Sequence, residues 1–363
     1  MKILVRAPNW IGDQIQAYPF YHELRARYPR AQITVVCVGW VESIQFRKQV
    51  NHIHVLPRVD GLSKLQKFQA LESEAKRLRA MGPWDLGISL PNSFSAAWLI
   101  YRAGCKVRRG YSFEGRGILL NERRSWKRAE HWARAKAYLE LSAAPGSTAM
   151  ALEDFFPKLP ENDLDEPLPG RVNQFDAYAE WNPAEVLDTP SEPYWVLAPG
   201  SQAESRRWPL EYFTVLARKL AHSTGLRGVV VGGPAEAPLA ARLCSDPSSR
   251  LSDRCAQVPL PGLWKLFRNA RFSVTNDSGL AHVSSLMGCS TFVVWGAGDP
   301  RHTKPHGPGR VDLLMNPVEC WPCERNTCFQ PPEAQLQCLK GIRPDSVYEE
   351  IRRVVRGSVP FRD

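Results

Sequence analysis

The chain reads as an α/β protein built from two Rossmann-like halves, and three observations predict it. Short apolar, β-rich runs alternate with helical segments in both halves, the pattern of parallel sheets wrapped by helices. A proline-rich, acidic stretch interrupts that alternation near the middle. The length of 363 residues also exceeds what one hydrophobic core usually holds. The expected organisation is therefore a first domain over 1–170, a linker over 171–193 and a second domain over 194–363.

In order, residues 3–6, 33–38, 86–90 and 106–110 read as strands, and the segments after Asp13 and around 63–79 read as helices. Pro19 interrupts the first helical pattern, which predicts a short or kinked turn there. Pro157, Pro160, Pro167, Pro169, Pro183, Pro190 and Pro193 then disfavour regular elements and mark the linker. Beyond it, 195–198, 228–231, 272–275 and 291–295 are strand candidates. Near the end, Pro344 followed by the stripe Val347, Ile351, Val354 and Val355 predicts an amphipathic helix with a proline-assisted start. No internal repeat with a period of about 20–50 residues is visible.

Composition is that of an ordinary soluble protein, with 44% apolar and 23% charged residues. No apolar run reaches the roughly 20 residues of a membrane span. The first residues lack a long apolar segment with a cleavage site, so a cytoplasmic protein is expected. In that compartment the nine cysteines are expected as reduced thiols unless a metal takes some. The net charge of +10 is concentrated: between Arg102 and Lys136, eleven basic residues face only Glu114, Glu122 and Glu130. Such a field suits a solvated surface, a phosphorylated substrate or acidic lipid.

Ligands of open α/β sheets bind beyond the carboxyl ends of strands, so the post-strand turns carry the chemistry. The most informative is Thr275-Asn276-Asp277-Ser278-Gly279-Leu280-Ala281-His282, where a strand runs through a glycine-bearing turn into a helix. The amides of Ser278, Gly279 and Leu280 and the helix dipole suit a phosphate, while Asp277 and His282 can orient it or a sugar. Pro199-Gly200-Ser201-Gln202 follows another strand and leads to Arg206-Arg207: a glycine for close approach, two hydrogen-bonding side chains and two phosphate-pairing cations. The strand ending at Val231 meets Gly232 and Gly233, with Glu236 placed as such carboxylates are for ribose hydroxyls. At the other end, Trp10-Ile11-Gly12-Asp13 closes the first strand; an aspartate there is commonly an N-cap.

Taken together, these motifs resemble the ADP-heptose:lipopolysaccharide heptosyltransferases, glycosyltransferase family 9, with Leu90-Pro91-Asn92-Ser93 and Gly110-Tyr111 pointing to the heptosyltransferase II branch. The resemblance spans nearly the whole chain. It implies the GT-B fold, two Rossmann-like domains facing across a cleft, and inverting transfer of L-glycero-D-manno-heptose from ADP-heptose to the lipopolysaccharide inner core at the inner membrane surface. It places Asp13 as catalytic base, and Ser201, Gln202, Arg206, Arg207, Glu236, Asp277, Ser278, Gly279, Leu280 and His282 on the donor. The family carries lysine where this chain has Arg206, so the grip on the diphosphate has a planar fork instead of a point charge. The acceptor side falls to the first domain, with Asn92, Ser93, Arg108, Arg109 and Arg116 as its contacts.

No cofactor is required on this reading: the only Asp-x-Asp spacing, Asp163-Leu164-Asp165, lies in the linker and not after a strand. Cys320 and Cys323 have the C-x-x-C spacing of structural metal sites, and with Cys328 and Cys338 they can hold zinc or iron, stay reduced, or form two disulfides on oxidation. Similar clusters occur in heptosyltransferases that modify proteins, so a protein acceptor is the alternative. A metal-knot nucleic-acid-binding protein is a third reading; no recognised nucleic-acid motif accompanies the positive charge, and no nucleic-acid partner is expected.

Overall fold

The computed structural model describes residues 1–155 and 189–362. The chain divides into two compact units, the first being Met1–Phe155. Most of the expected linker and the Asp163-Leu164-Asp165 spacing lie outside the described residues.

The first unit holds a six-stranded parallel sheet of β1 (Lys2–Arg6), β2 (Gln32–Val38), β3 (His52–Leu56), β4 (Leu86–Ser89), β5 (Val107–Ser112) and β6 (Glu122–Ser125). Their spatial order is β3-β2-β1-β4-β5-β6, with every neighbouring pair parallel. Ile3, Leu4 and Val5 in β1 are fully buried, as expected of a central parallel strand covered on both faces. Helix Lys64–Met81, opened by a Ser63–Gln66 capping box, packs with helix Phe94–Arg102 over a core of Leu4, Val36, Leu78, Trp84, Leu99 and Ile100. The predicted interruption near Pro19 is present: helix Ile11–Gln16 stops at Ala17 and Tyr18–Arg27 resumes, with Pro19 in its first turn.

The second unit repeats the plan with β7 (Tyr194–Ala198), β8 (Arg227–Val230), β9 (Leu251–Asp253), β10 (Ser273–Asn276), β11 (Thr291–Trp295) and β12 (Val311–Met315), ordered β12-β11-β10-β7-β8-β9. Counted within each unit, both sheets have the order 3-2-1-4-5-6 of doubly wound folds, with switch points between β1 and β4 and between β7 and β10. Stacked Trp195 and Phe272, with Phe292 edge-on, fill the sheet face. Helices Leu210–Thr224 and Pro344–Val355 cover it, the latter through the predicted stripe Val347, Ile351, Val354 and Val355.

All eight strands expected from the sequence exist, and they are the central four of each sheet. The four not expected, β3, β6, β9 and β12, are the edges. An edge strand is half solvated, so its sequence need not be apolar: β6 reads Glu-Arg-Arg-Ser and β9 has three residues.

Candidate functional site

At the switch point of the second sheet, the loops after β7 and β10 are tied together. Asn276 Nδ2 donates to the Pro199 carbonyl at 2.6 Å, Asn276 Oδ1 accepts from the Trp208 amide at 3.1 Å, and Ser201 Oγ donates to the Asp277 carbonyl at 3.0 Å. These bonds bring the Arg206 turn (Glu204–Arg206) against β10, with Arg206 Nε 3.3 Å from Asp277 Oδ2. The helix Gly279–Leu286 starts here. Its N-cap, Ser278, makes no side-chain capping bond, leaving the first amides without partners from a preceding turn.

The electrostatics are those of a sheltered site. Burial pushes the Asp277 carboxyl up to about 6 against the pull of Arg206. It pushes His282 down to about 3, helped by His306 and Arg206, so the imidazole is neutral. Arg206 Nε and Asp277 Oδ2, which form an ion pair but no hydrogen bond, are shielded from solvent, and so are Ser278 Oγ and His282 Nδ1, which have no hydrogen-bond partner. Buried polar atoms are nearly always satisfied, so a group of orphans at a strand-to-helix turn marks where a polar ligand completes the network. Helix amides and a cation at such a place would favour an anion. Close approach is built in: a Cβ on Gly298 would stand 2.5 Å from Asp277 Oδ2, and one on Gly200 would stand 2.5 Å from Glu236 Cγ.

Glu236 therefore lies beside the Gly200 loop, where its Oε2 accepts from the Gly233 amide at 2.8 Å. Arg207 turns back on its own loop, donating to the Ser201 carbonyl at 2.7 Å and the Gln202 carbonyl at 3.2 Å, whereas the Gln202 side chain is exposed. The sequence-predicted residues Ser201, Gln202, Arg206, Asp277, Ser278, Gly279, Leu280 and His282 thus gather at one switch point, with Glu236 on the adjoining strand end.

The cysteine segment has a role the sequence did not reveal. Ser205, in the Arg206 turn, donates its amide to the Asn326 carbonyl at 3.1 Å and its hydroxyl to the Arg325 carbonyl. Trp321 Nε1 donates to the Gly296 carbonyl at 2.9 Å, and the Glu324 amide to the Ala297 carbonyl at 2.9 Å. Residues 321–326 therefore brace the turn that carries Arg206. Cys320, Cys323, Cys328 and Cys338 are free thiols, and burial together with the other three raises the Cys338 pKa. Among the described residues, no group of three or more His, Cys, Asp or Glu is arranged to hold a metal.

In the first unit, Asp13 follows β1 at the corresponding switch point. It is not the N-cap of its helix: Trp10 holds that place and Asp13 sits in the first turn, because the chain enters the helix at Ile11. Its carboxylate keeps 27% of its side-chain surface exposed and lies 3.9 Å from Arg134 Nε. The Tyr138 hydroxyl is hydrogen-bonded to it. Neither partner could be read from sequence, since well over a hundred residues separate them from Asp13.

The residues expected at the acceptor behave differently. Arg116 is fully buried; its Nε donates to the Tyr111 carbonyl at 2.6 Å, Nη1 reaches the Pro91 and Ser93 carbonyls, and Nη2 donates to Asn92 Oδ1 at 3.0 Å. Ser93 caps helix Phe94–Arg102 by accepting from the Ala96 amide at 3.3 Å. Arg109, also buried, pairs with Glu122 and donates to the Leu141 and Ser142 carbonyls. Arg108 binds the Leu119 and Cys105 carbonyls and lies over the Tyr101 ring. All three guanidinium nitrogens of Arg109 and Arg116 and two of Arg108 are engaged by the protein, so these arginines frame the loop after β4. Arg123, Lys127 and Arg128 are exposed and have no ion-pair partner among the described residues.

The comparisons with known proteins agree with one another. The profile of glycosyltransferase family 9 (heptosyltransferase) matches residues 73–333. The chain is 26% identical to lipooligosaccharide heptosyltransferase 2 of Haemophilus ducreyi, covering 98% of this chain and 99% of that one. It is 27% identical to lipopolysaccharide heptosyltransferase 2 of Escherichia coli, covering 98% and 99%. In fold it is similar to the solved ADP-heptose lps heptosyltransferase II of E. coli, with TM-score 0.75, 23% identity and coverage of 98% and 99%. The two six-stranded parallel sheets are those of the GT-B fold class. With the family profile matching residues 73–333, most of the chain, this protein belongs to glycosyltransferase family 9, the heptosyltransferases.

Proposed function

We propose that the chain transfers L-glycero-D-manno-heptose from ADP-heptose to a heptose or Kdo hydroxyl of the lipopolysaccharide inner core, with inversion, working at the cytoplasmic face of the inner membrane. The observation that carries this is the sheltered polar cluster at the open end of helix Gly279–Leu286, in which Ser278 Oγ and His282 Nδ1 lack hydrogen bonds and Arg206 Nε and Asp277 Oδ2 meet only as an ion pair. A diphosphate would lie on the amides of Ser278, Gly279 and Leu280 with Arg206 across it, and Glu236 and Gln202 would meet the nucleoside. Arg207 would hold the loop.

In the reaction the acceptor oxygen attacks the anomeric carbon as the bond from that carbon to the diphosphate oxygen breaks. The acceptor proton passes to Asp13, and ADP leaves carrying the bond's electron pair. Helix amides and Arg206 stabilise the charge that develops on the leaving phosphate, a role for which preorganised donors contribute several kcal/mol. Asp13 belongs to one unit and the donor cluster to the other, so transfer requires both to reach one sugar. On the acceptor side, Arg108, Arg109 and Arg116 would shape the Asn92-Ser93 loop, and the exposed Arg123, Lys127 and Arg128 would meet core phosphates. The cysteine segment enters as a brace with reduced thiols; equimolar zinc or iron in protein purified without chelator would make it a metal knot instead.

The test is transfer of labelled heptose from ADP-heptose to a truncated core glycolipid and, in parallel, to candidate proteins. Label in the glycolipid alone is expected, and label in protein alone overturns the acceptor. Asp13→Asn should lower turnover by about a thousandfold, within the range of acid–base catalysis, and leave ADP affinity intact. Near-normal turnover removes Asp13 as base.

A further inference from the structure

Asp13 does not face solvent alone. Helix Ile11–Gln16, which carries it, packs on helix Arg134–Glu140. Arg134 and Tyr138 stand four residues apart on that helix, so one face directs both at the same carboxylate. Arg134 Nε lies 3.9 Å from Asp13 Oδ1, is shielded from solvent and makes no hydrogen bond. Its guanidinium is held over the Trp126 ring at 5.5 Å, which fixes its place. Tyr138 is 5% exposed, and its hydroxyl hydrogen-bonds the carboxylate.

Among the described residues, Tyr18 meets His22 edge-on, and His22 is hydrogen-bonded with Gln49. Tyr21 is buried and close enough to Tyr138 to disfavour its ionisation. Glu42 on the turn Gly39–Ile44 is exposed. Glu23 pairs with Arg27, and Arg25 binds the carbonyls of Gln49 and Ala31. Glu140 pairs with Arg124, and Lys136 lies over Trp132.

We propose that Arg134 and Tyr138 are positioning residues for Asp13: a cation and a hydroxyl on one helix face hold its carboxylate ionised and aimed. This rests on Asp13 being the base. The ion pair and the donated hydrogen bond both favour the charged carboxylate, so each keeps the proton-accepting form populated at neutral pH. The hydrogen bond also restricts the side chain, and small misplacements of a reacting group can cost up to about a hundredfold in rate.

The experiment is the pH dependence of kcat for ADP-heptose and the core glycolipid in Tyr138→Phe, Arg134→Gln, Arg134→Lys and Asp13→Asn. Loss of either partner raises the carboxyl pKa, and a base works only above its pKa, so the acid limb should move to higher pH. We expect a move of about one unit, within the range a neighbouring opposite charge produces. At neutral pH kcat should fall about tenfold while the donor KM stays within about twofold, the signature of an interaction used in the reaction and not in binding. Arg134→Lys, which keeps the charge, should restore most of the profile. The titration of the carbon-13-labelled Asp13 carboxyl, followed by NMR, reads the same shift without turnover. Should Tyr138→Phe not fold, the Gln and Lys variants of the partly exposed Arg134 decide. Unmoved acid limbs and titrations with an inactive Asp13→Asn overturn this inference alone, whereas an active Asp13→Asn overturns the base and the inference together.

Discussion

The loops at the two switch points solve opposite problems. Both follow strands of sheets with the same 3-2-1-4-5-6 order. In the first unit the polar side chains around the loop after β4 satisfy one another, down to a fully buried Arg116 whose donors all end on protein acceptors. In the second, Arg206, Asp277, Ser278 and His282 are sheltered but left incomplete. The same topology thus yields a finished frame in one place and an unfinished polar cluster in the other. Burial of a charged residue alone does not identify a binding site; what matters is whether the protein has already used its hydrogen bonds.

The contrast can be broken most directly at its two arginines. Arg116→Ala should lower stability by about 3 kcal/mol, since it strands several buried acceptors, and should leave ADP affinity unchanged. Chemical denaturation and calorimetric titration check both, and a fold as stable as the parent would end the frame reading. Arg206→Ala should do the reverse. Removing a cation that pairs with phosphate should weaken ADP by about tenfold to a hundredfold, the range of charged hydrogen bonds. An unchanged dissociation constant would show that the unfinished cluster is not the diphosphate site.

Acid stability sharpens the comparison further, because two groups in that cluster pull in opposite directions. Asp277 has its folded pKa raised to about 6, so it favours the folded state increasingly as pH falls from about 6 toward its ordinary value of 3.8. His282 has its folded pKa lowered to about 3 from 6.5, so it costs stability as pH falls through that window. Asp277→Asn removes only the compensating half. Its melting temperature should therefore drop more steeply than the parent's between pH 6.5 and 4; parallel curves would contradict the buried, incomplete state of this pair.

The smallest effect is expected at the brace. Ser205→Ala loses one hydroxyl bond to the Arg325 carbonyl, worth about 1 kcal/mol, and should raise the donor KM a fewfold with little change in kcat. A change confined to kcat would argue that the cysteine segment acts on something other than donor binding.

The central strands were legible because a strand buried on both faces must be apolar: β1, β7 and β11 show it in uninterrupted runs, and β2 in a run broken only by Thr34. The edges were not, since solvent relaxes that demand. Likewise, the turn after β10 announced itself through local order, with strand, glycine and helix read directly from Thr275 to His282. Arg116 and Arg206 looked alike in sequence, two cations near glycine-bearing turns.

By itself, then, the sequence determined the doubly wound halves, the strand-to-helix turn after β10 and the place of Asp13 after β1, because each depends on contacts or conformations spanning a few residues. Only the tertiary structure decided which arginines are already engaged, that residues 321–326 brace the Arg206 turn, and that Arg134 and Tyr138 address Asp13. Hydrogen bonds and ion pairs of that kind join residues far apart in the chain, and their partners are chosen by packing, which no local pattern encodes.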